Sequence, residues 1–192
     1  MLKKIIQAIK ETEHKGILDR SIYQDCKGYS GEKLIGTIQR ISNLFNNDHH
    51  VCYVEIGVYR GLTLLSTGKV SRNLACYGID NFAFFDPKKE NYSYIMEQIH
   101  KYNLKNIEIV NKDYEDSLSS INDYLCGKKI ALFFIDGPHD YRSQLQCIIK
   151  ALPYFHDNAV IMIDDCNYSH VRLANYDFLK SSSNWKLLFE AY

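Results

Sequence analysis

VCYVEIGVYRGLTLL, residues 51–65, reads as a buried strand, a glycine turn and the start of a helix. Val51, Cys52, Tyr53 and Val54 form a short apolar run closed by glycine, the pattern of a core strand. Gly57 and Gly61 give the backbone freedom and let it approach a ligand where a side chain would stand in the way. The helix that follows turns its free N–H groups toward the same place. The spacing is E-x-G-x-x-x-G. It has two glycines, set wider than the G-x-G-x-x-G that cradles a pyrophosphate. A nicotinamide dehydrogenase is therefore disfavoured.

Outward from this stretch the chain alternates. Downstream, a helix is expected from Gly61 to Lys69, a strand from Leu74 to Ile79 and a helix ending near Asn103. A strand over Ile107–Asn111 and a helix over Tyr114–Leu125 follow. Next come an apolar strand, Lys129–Ile135, and a helix, Arg142–Leu152. The series ends with a strand at Ala159–Ile163, a helix at Ser169–Lys180 and a sixth strand at Trp185–Phe189. Upstream, Leu2, Ile5, Ile6 and Ile9 mark an amphipathic helix over residues 1–13. A second helix, Glu32 to Phe45, is expected to be capped by Ser30. The βαβ alternation and the continuous apolar run KIALFFI predict an α/β fold: a Rossmann-like, doubly wound, mostly parallel sheet with helices on both faces. Residues 1–50 read as an N-terminal helical cap segment and 51–192 as the ligand-binding core of one domain.

Bulk properties narrow the function. The chain has 192 residues, with 23 Lys+Arg against 23 Asp+Glu. That balance points to neither a nucleic-acid stripe nor a membrane-surface patch. No apolar run approaches the ~20 residues of a membrane span, and the N-terminus lacks the features of a signal peptide. Six cysteines without a CxxC pair read as reduced thiols in a cytoplasmic protein.

The chemistry gathers at strand ends. In an open α/β sheet, ligands bind beyond the C-terminal ends of the strands. The residues there are Glu55 and Gly57, Asp80, Asp113, Asp136, and Asp164 with Asp165. Asp80 lies at the distance past the glycine turn where an acid accepts hydrogen bonds from ribose hydroxyls; the alternative is a strand-end acid that caps the next turn. So many acids along one edge repel unless a ligand demands them. Ribose hydroxyls account for some, and a hard divalent cation for the rest. Asp136, Asp164 and Asp165 are the candidate cation ligands. Adjacent strand residues point to opposite faces, so Asp164 and Asp165 reach one ion only if the chain turns at once.

This array resembles the class I S-adenosylmethionine (SAM) methyltransferases, in the macrocin O-methyltransferase-like or cephalosporin-hydroxylase-like small-molecule branch. The resemblance spans Tyr29 to Tyr192 and rests on VEIGVYRG, YGIDNF, NKDYEDSL, FFIDGPHDYRSQLQCIIKALPYF and AVIMIDDCNY. It implies that Glu55, Gly57, Tyr59, Gly61, Asp80, Asn81, Asp113, Tyr114 and Asp136 contact the cofactor. It also implies Mg²⁺ on Asp136, Asp164 and Asp165. Relatives often carry an acid, proposed as general base, at the position of Pro138. Proline cannot serve, which leaves His139, with Asp136, as the catalytic candidates. Relatives continue past a segment like LFEAY into a final antiparallel strand that this chain lacks. An uncovered edge favours association as a homodimer.

Mg²⁺-assisted O-methylation of a small hydroxylated molecule is the leading expectation. A metal-independent O- or N-methyltransferase and a non-catalytic SAM-binding protein stand beside it. Tyr29, Phe84, Phe85, Tyr141 and Tyr168 are candidates either to stack on an aromatic acceptor or to pack, and packing is the favoured reading for most of them.

Overall fold

A computed structural model describes residues 1–190; the last two residues of the LFEAY segment lie outside the described residues. The quoted stretch is the centre of the sheet. β1 (Val51–Ile56) is buried along its whole length. β2 (Ala75–Ile79) and β4 (Lys129–Ile135) pair with it on either side. β3 (Ile107–Val110) adds beyond β2, and β5 (Phe155–Ile163) beyond β4. The order is β3-β2-β1-β4-β5, and every pairing is parallel. The chain reverses its direction of progress between β1 and β4, and the crevice of a doubly wound sheet opens beyond that point.

Strand alternation divides the core into two. Val51 and Tyr53 face one layer, made by α1 (Leu2–Lys15), α2 (Ser21–Asp25), α3 (Glu32–Leu44), α4 (Leu62–Val70) and α5 (Asn91–Lys101). Cys52, Val54 and Ile56 face the other, made by α6 (Tyr114–Ser119), α7 (Asn122–Leu125), α8 (Tyr141–Ala151) and α9 (Ser169–Ser181). Residues 1–50 thus share a core with the sheet. Ile5, Ile22 and Ile35 join the same cluster as Tyr53 and Phe134.

Several boundaries differ from the sequence reading, each for a local reason. Gly31, not Ser30, caps α3, and no side chain bonds its first turn. The single helix expected over Tyr114–Leu125 is two. Ser119 and Ser120 donate their hydroxyls back to the carbonyls of Glu115 and Asp116, and α6 ends there. β5 starts at Phe155, opposite Ile130, and its register then jumps so that Val160 faces Leu132. The extra residues bulge out, and with His156, Asp157 and Asn158 among them the apolar run marked only the second half of this strand.

The sixth strand expected at Trp185–Phe189 does not form. Trp185 instead packs against Phe155 and Phe178, with ring centroids 5.1 and 5.9 Å apart. Leu187, Leu188 and Phe189 stay exposed. Among the described residues β5 is therefore an edge strand, flanked by a groove of about 680 Å³ that reaches Asp164 and Asp165.

Candidate functional site

The glycine turn is held by its neighbours' backbones and one carboxylate. Gly57 has φ +84°, and a Cβ there would lie 1.8 Å from the carbonyl oxygen of Asp136, so no other residue fits. Asp80, at the end of β2, accepts the N–H groups of Val58 and Tyr59 on Oδ2, each at 2.8 Å, and that of Phe82 on Oδ1 at 2.7 Å. Gly61, at φ +80°, starts α4. Between the glycines, Tyr59 holds a left-handed φ of +51° and stacks on Tyr29 at 5.3 Å. Arg60 donates its Nε–H to Asn91 Oδ1 at 3.0 Å and lies over the rings of Tyr59 and Tyr94.

Glu55 points inward. It is fully buried and accepts the hydroxyls of Tyr53 and Thr63, one on each carboxylate oxygen. Burial pushes its carboxyl up to about 8, against those two hydrogen bonds and with further upward pressure from Asp136 and Asp80. It braces β1 against α4 instead of opening onto the crevice.

Beyond β2 and β3, Asn81 Nδ2 donates to Asp113 Oδ2 at 3.3 Å, and Asp113 Oδ1 caps α6 through the N–H of Glu115 at 2.8 Å. Tyr114 packs against the second core and donates its hydroxyl to Glu115 at 3.2 Å.

The ends of β4 and β5 build an acidic corner. His139 Nε2 lies 2.7 Å from Asp165 Oδ2, and its ring stacks on Tyr168 at 5.0 Å. Ligand atoms of Asp136, His139 and Asp165 all fall within 4.8 Å of one another. Asp165 adopts φ +54°, so the chain does turn immediately after Asp164. That turn separates the pair: Asp164 Oδ1 accepts the N–H of Asp165 at 2.9 Å, and Asp164 is not in the converging trio. Burial first, then the charges of Asp164, Asp165 and Asp80, raise the Asp136 carboxyl to about 7.

A family model described as a methyltransferase domain matches residues 54–166, more than half of the chain, from β1 through this corner. The chain belongs to this methyltransferase family. No curated protein matches it. Among solved structures, it is similar to CalS11, a TDP-rhamnose 3'-O-methyltransferase of calicheamicin biosynthesis, at TM-score 0.63 and 13% identity, over 92% of this chain and 84% of that one. It is also similar to the O-methyltransferase of Bacillus cereus in complex with S-adenosylhomocysteine (SAH), at TM-score 0.63 and 13% identity, over 94% and 88%. The SAH-bound methyltransferase PaMTH1 of Podospora anserina follows at TM-score 0.55 and 15% identity, over 84% and 61%. At these identities the likeness establishes the fold; the family match establishes a class I SAM-dependent methyltransferase.

The residues of this methyltransferase fit a nucleoside. Asp80 fills both lone pairs of Oδ2 with backbone N–H groups and keeps one acceptor position on Oδ1 for a ribose hydroxyl. Asn81 and Asp113 are paired at the neighbouring strand end. The corner also fits a divalent cation, although with a different donor set from the one expected: His139 takes the place of Asp164, and an imidazole beside two carboxylates suits a first-row transition ion as well as Mg²⁺.

Two features escaped the sequence reading. Tyr29, Phe84 and Phe85 are 89, 77 and 82% exposed, so the packing reading does not hold for these three. The Arg60–Asn91 pair was missed as well, although a lone cation inside the glycine turn was visible in the sequence.

Proposed function

We propose that this methyltransferase O-methylates a small hydroxylated metabolite, with the acceptor held at the corner of Asp136, His139 and Asp165. The observation that carries the reading is the convergence of those three side chains within 4.8 Å, on the residue whose carbonyl Gly57 touches. SAM, when bound, supplies an electrophilic methyl group, and the glycine turn and Asp80 hold its nucleoside. Asp136, His139 and Asp165 would hold a divalent cation, which would supply Lewis-acid activation of an acceptor hydroxyl. With its carboxyl raised to about 7, Asp136 would give up its proton on taking a cation. Positioning supplies much of the rate. The acceptor is a small molecule, not a nucleic acid or a membrane component. The setting is cytoplasmic, and the unpaired edge of β5 favours a homodimer.

The 2.7 Å contact between His139 and Asp165 favours a second, metal-free reading. With Nε2 engaged by Asp165, Nδ1 of His139 is left to take the acceptor's proton. Turnover of a hydroxylated acceptor, measured with and without excess chelator, separates the two. Loss in chelator, with recovery on adding Mg²⁺ or Mn²⁺, supports the cation. Full activity in chelator that disappears in His139→Ala supports the base. Activity that survives both treatments discards the corner as the reacting site.

A further inference from the structure

The groove along β5 opens at one end onto the acidic corner, since Asp164 and Asp165 are among its lining residues. Residues 159–163 of β5 form its floor. Leu34 and Ile41 of α3 stand on one side, and Phe178 of α9 and Leu187 on the other. The walls are apolar, but the floor carries unpaired backbone. Asp164 donates its N–H to the carbonyl of Ile135 at 3.0 Å, on the β4 side. In a parallel ladder alternate residues direct their backbone groups to opposite neighbours. Those of Val160 and Met162 therefore face β4, and those of Ala159, Ile161 and Ile163 face the groove. Among the described residues no strand pairs with β5 on that side. The carbonyl of Ile163 accepts the Cys166 thiol at 3.7 Å. Backbone groups beside apolar walls need partners, and what fits these is a second row of alternating acceptors and donors.

We infer that this groove seats the methyl acceptor, and that the acceptor is a short, extended, peptide-like molecule that pairs with β5 through its amides and brings a hydroxyl to the corner. The inference rests on the reaction proposed at Asp136, His139 and Asp165. The spacing of the floor chooses this occupant. Its free N–H and C=O groups recur every second residue, roughly 7 Å apart. A sugar or a phenol fills the corner but does not repeat at that interval. An extended amide chain does, and it sets alternate side chains against the walls. Continuity chooses the acceptor over an unrelated ligand: a chain laid along β5 delivers its last residue to Asp165. The strand runs about 20 Å from Ala159 to Asp165. The groove's volume of about 680 Å³ lies within the range of small-molecule sites. A homodimer through β5 would use the same backbone groups, so acceptor and partner copy compete for them.

Methyl transfer from SAM to N-acetyl-Val-Val-Ser amide tests this. Two compounds serve for comparison. N-acetylserine amide keeps the hydroxyl and lacks the strand. The tripeptide N-methylated at both valines keeps every side chain and loses two donors. The tripeptide should exceed both in kcat/KM by about tenfold or more. Ile161→Pro removes the central N–H that faces the groove, and proline is accepted where an edge strand's N–H points away from its ladder. It should bring the tripeptide down to the level of N-acetylserine amide, whose own kcat/KM should stay within about twofold. Thr37→Trp narrows the groove from α3, should act in the same way, and serves if Ile161→Pro does not fold. Equal kcat/KM for all three compounds overturns the inference. So does a tripeptide preference that neither variant reduces. Methylation of catechol without methylation of the tripeptide also overturns it, and leaves the corner standing as the reacting site. If SAH binds but neither the peptides nor catechol is methylated, the proposed reaction fails, and this inference fails with it. Amide hydrogen exchange at Ile161 that slows with protein concentration and ignores added tripeptide gives the groove to a second copy, and overturns the inference as well.

Discussion

Gly57 joins the two halves of the site. Its φ of +84° and the 1.8 Å clearance to the Asp136 carbonyl leave no room for a methyl group, and the obstructing atom is backbone that cannot swing away. Gly57→Ala should cost about 3 kcal/mol in urea unfolding, from a left-handed backbone plus overpacking. It should also abolish SAH binding in the fraction that folds; a variant with unchanged affinity would show that the turn carries no ligand. Asp80 acts on the same turn from the other side. The sequence placed Asp80 at a nucleoside, and its three backbone hydrogen bonds show why the strand-end acid is also structural: it shapes the turn before any ligand arrives. Asp80→Asn replaces one acceptor oxygen with a donor facing N–H groups. It should weaken SAH binding in a calorimetric titration, and an unchanged affinity would show that Asp80 holds no nucleoside. Residue spacing made the positions of Asp80 and Asp136 legible. Their partners were not, because hydrogen bonds such as Val58 to Asp80 depend on how β1 and β2 align.

At the level of elements, what could be read was what periodicity encodes. KIALFFI read as a strand covered on both faces because it is one, and the helices with clear apolar faces, α1 and α3, lie close to where spacing put them. The failures occur where side-chain chemistry competes with periodicity. Serine hydroxyls break α6 from α7, and a bulge hides the first half of β5. Trp185 explains the missing sixth strand. Its apolar neighbours Leu187, Leu188 and Phe189 resemble a strand, but the indole finds Phe155 on β5 and Phe178 on α9, and the chain is anchored by that contact without pairing along an edge. Trp185→Ala should therefore destabilise the fold by about 2 kcal/mol, less than a fully buried aromatic because the side chain is only half-buried. SAH affinity should stay unchanged, because the anchor lies away from the glycine turn. A loss of SAH binding equal to that of Asp80→Asn would mean that the anchor also shapes the crevice.

Over the whole molecule the charges balance, 23 against 23, but they are not mixed. The basic residues pair with acids on the surface, as in Arg20 with Glu32, Lys33 with Glu13 and Lys101 with Asp25. Such exposed pairs contribute little to stability. Among the described residues, the only basic side chain in ion-pair distance of a strand-end acid is His139, beside Asp165, and the cost of ionising the buried acids falls on the fold. Glu55 shows this most clearly, because it is fully buried and titrates near 8 when folded, against an ordinary 4.5 when unfolded. A carboxyl raised in this way binds its proton more tightly in the folded state. Its contribution to stability is complete below about 4.5, declines as the pH rises, and is gone above about 8. The melting temperature of the ligand-free protein should accordingly fall between about pH 5 and pH 8. Glu55→Gln, which carries no proton to lose, should flatten that decline and become the more stable of the two at pH 9. If both proteins lose stability in parallel across this range, Glu55 is ionised well below neutral pH, and the hydroxyls of Tyr53 and Thr63 outweigh its burial.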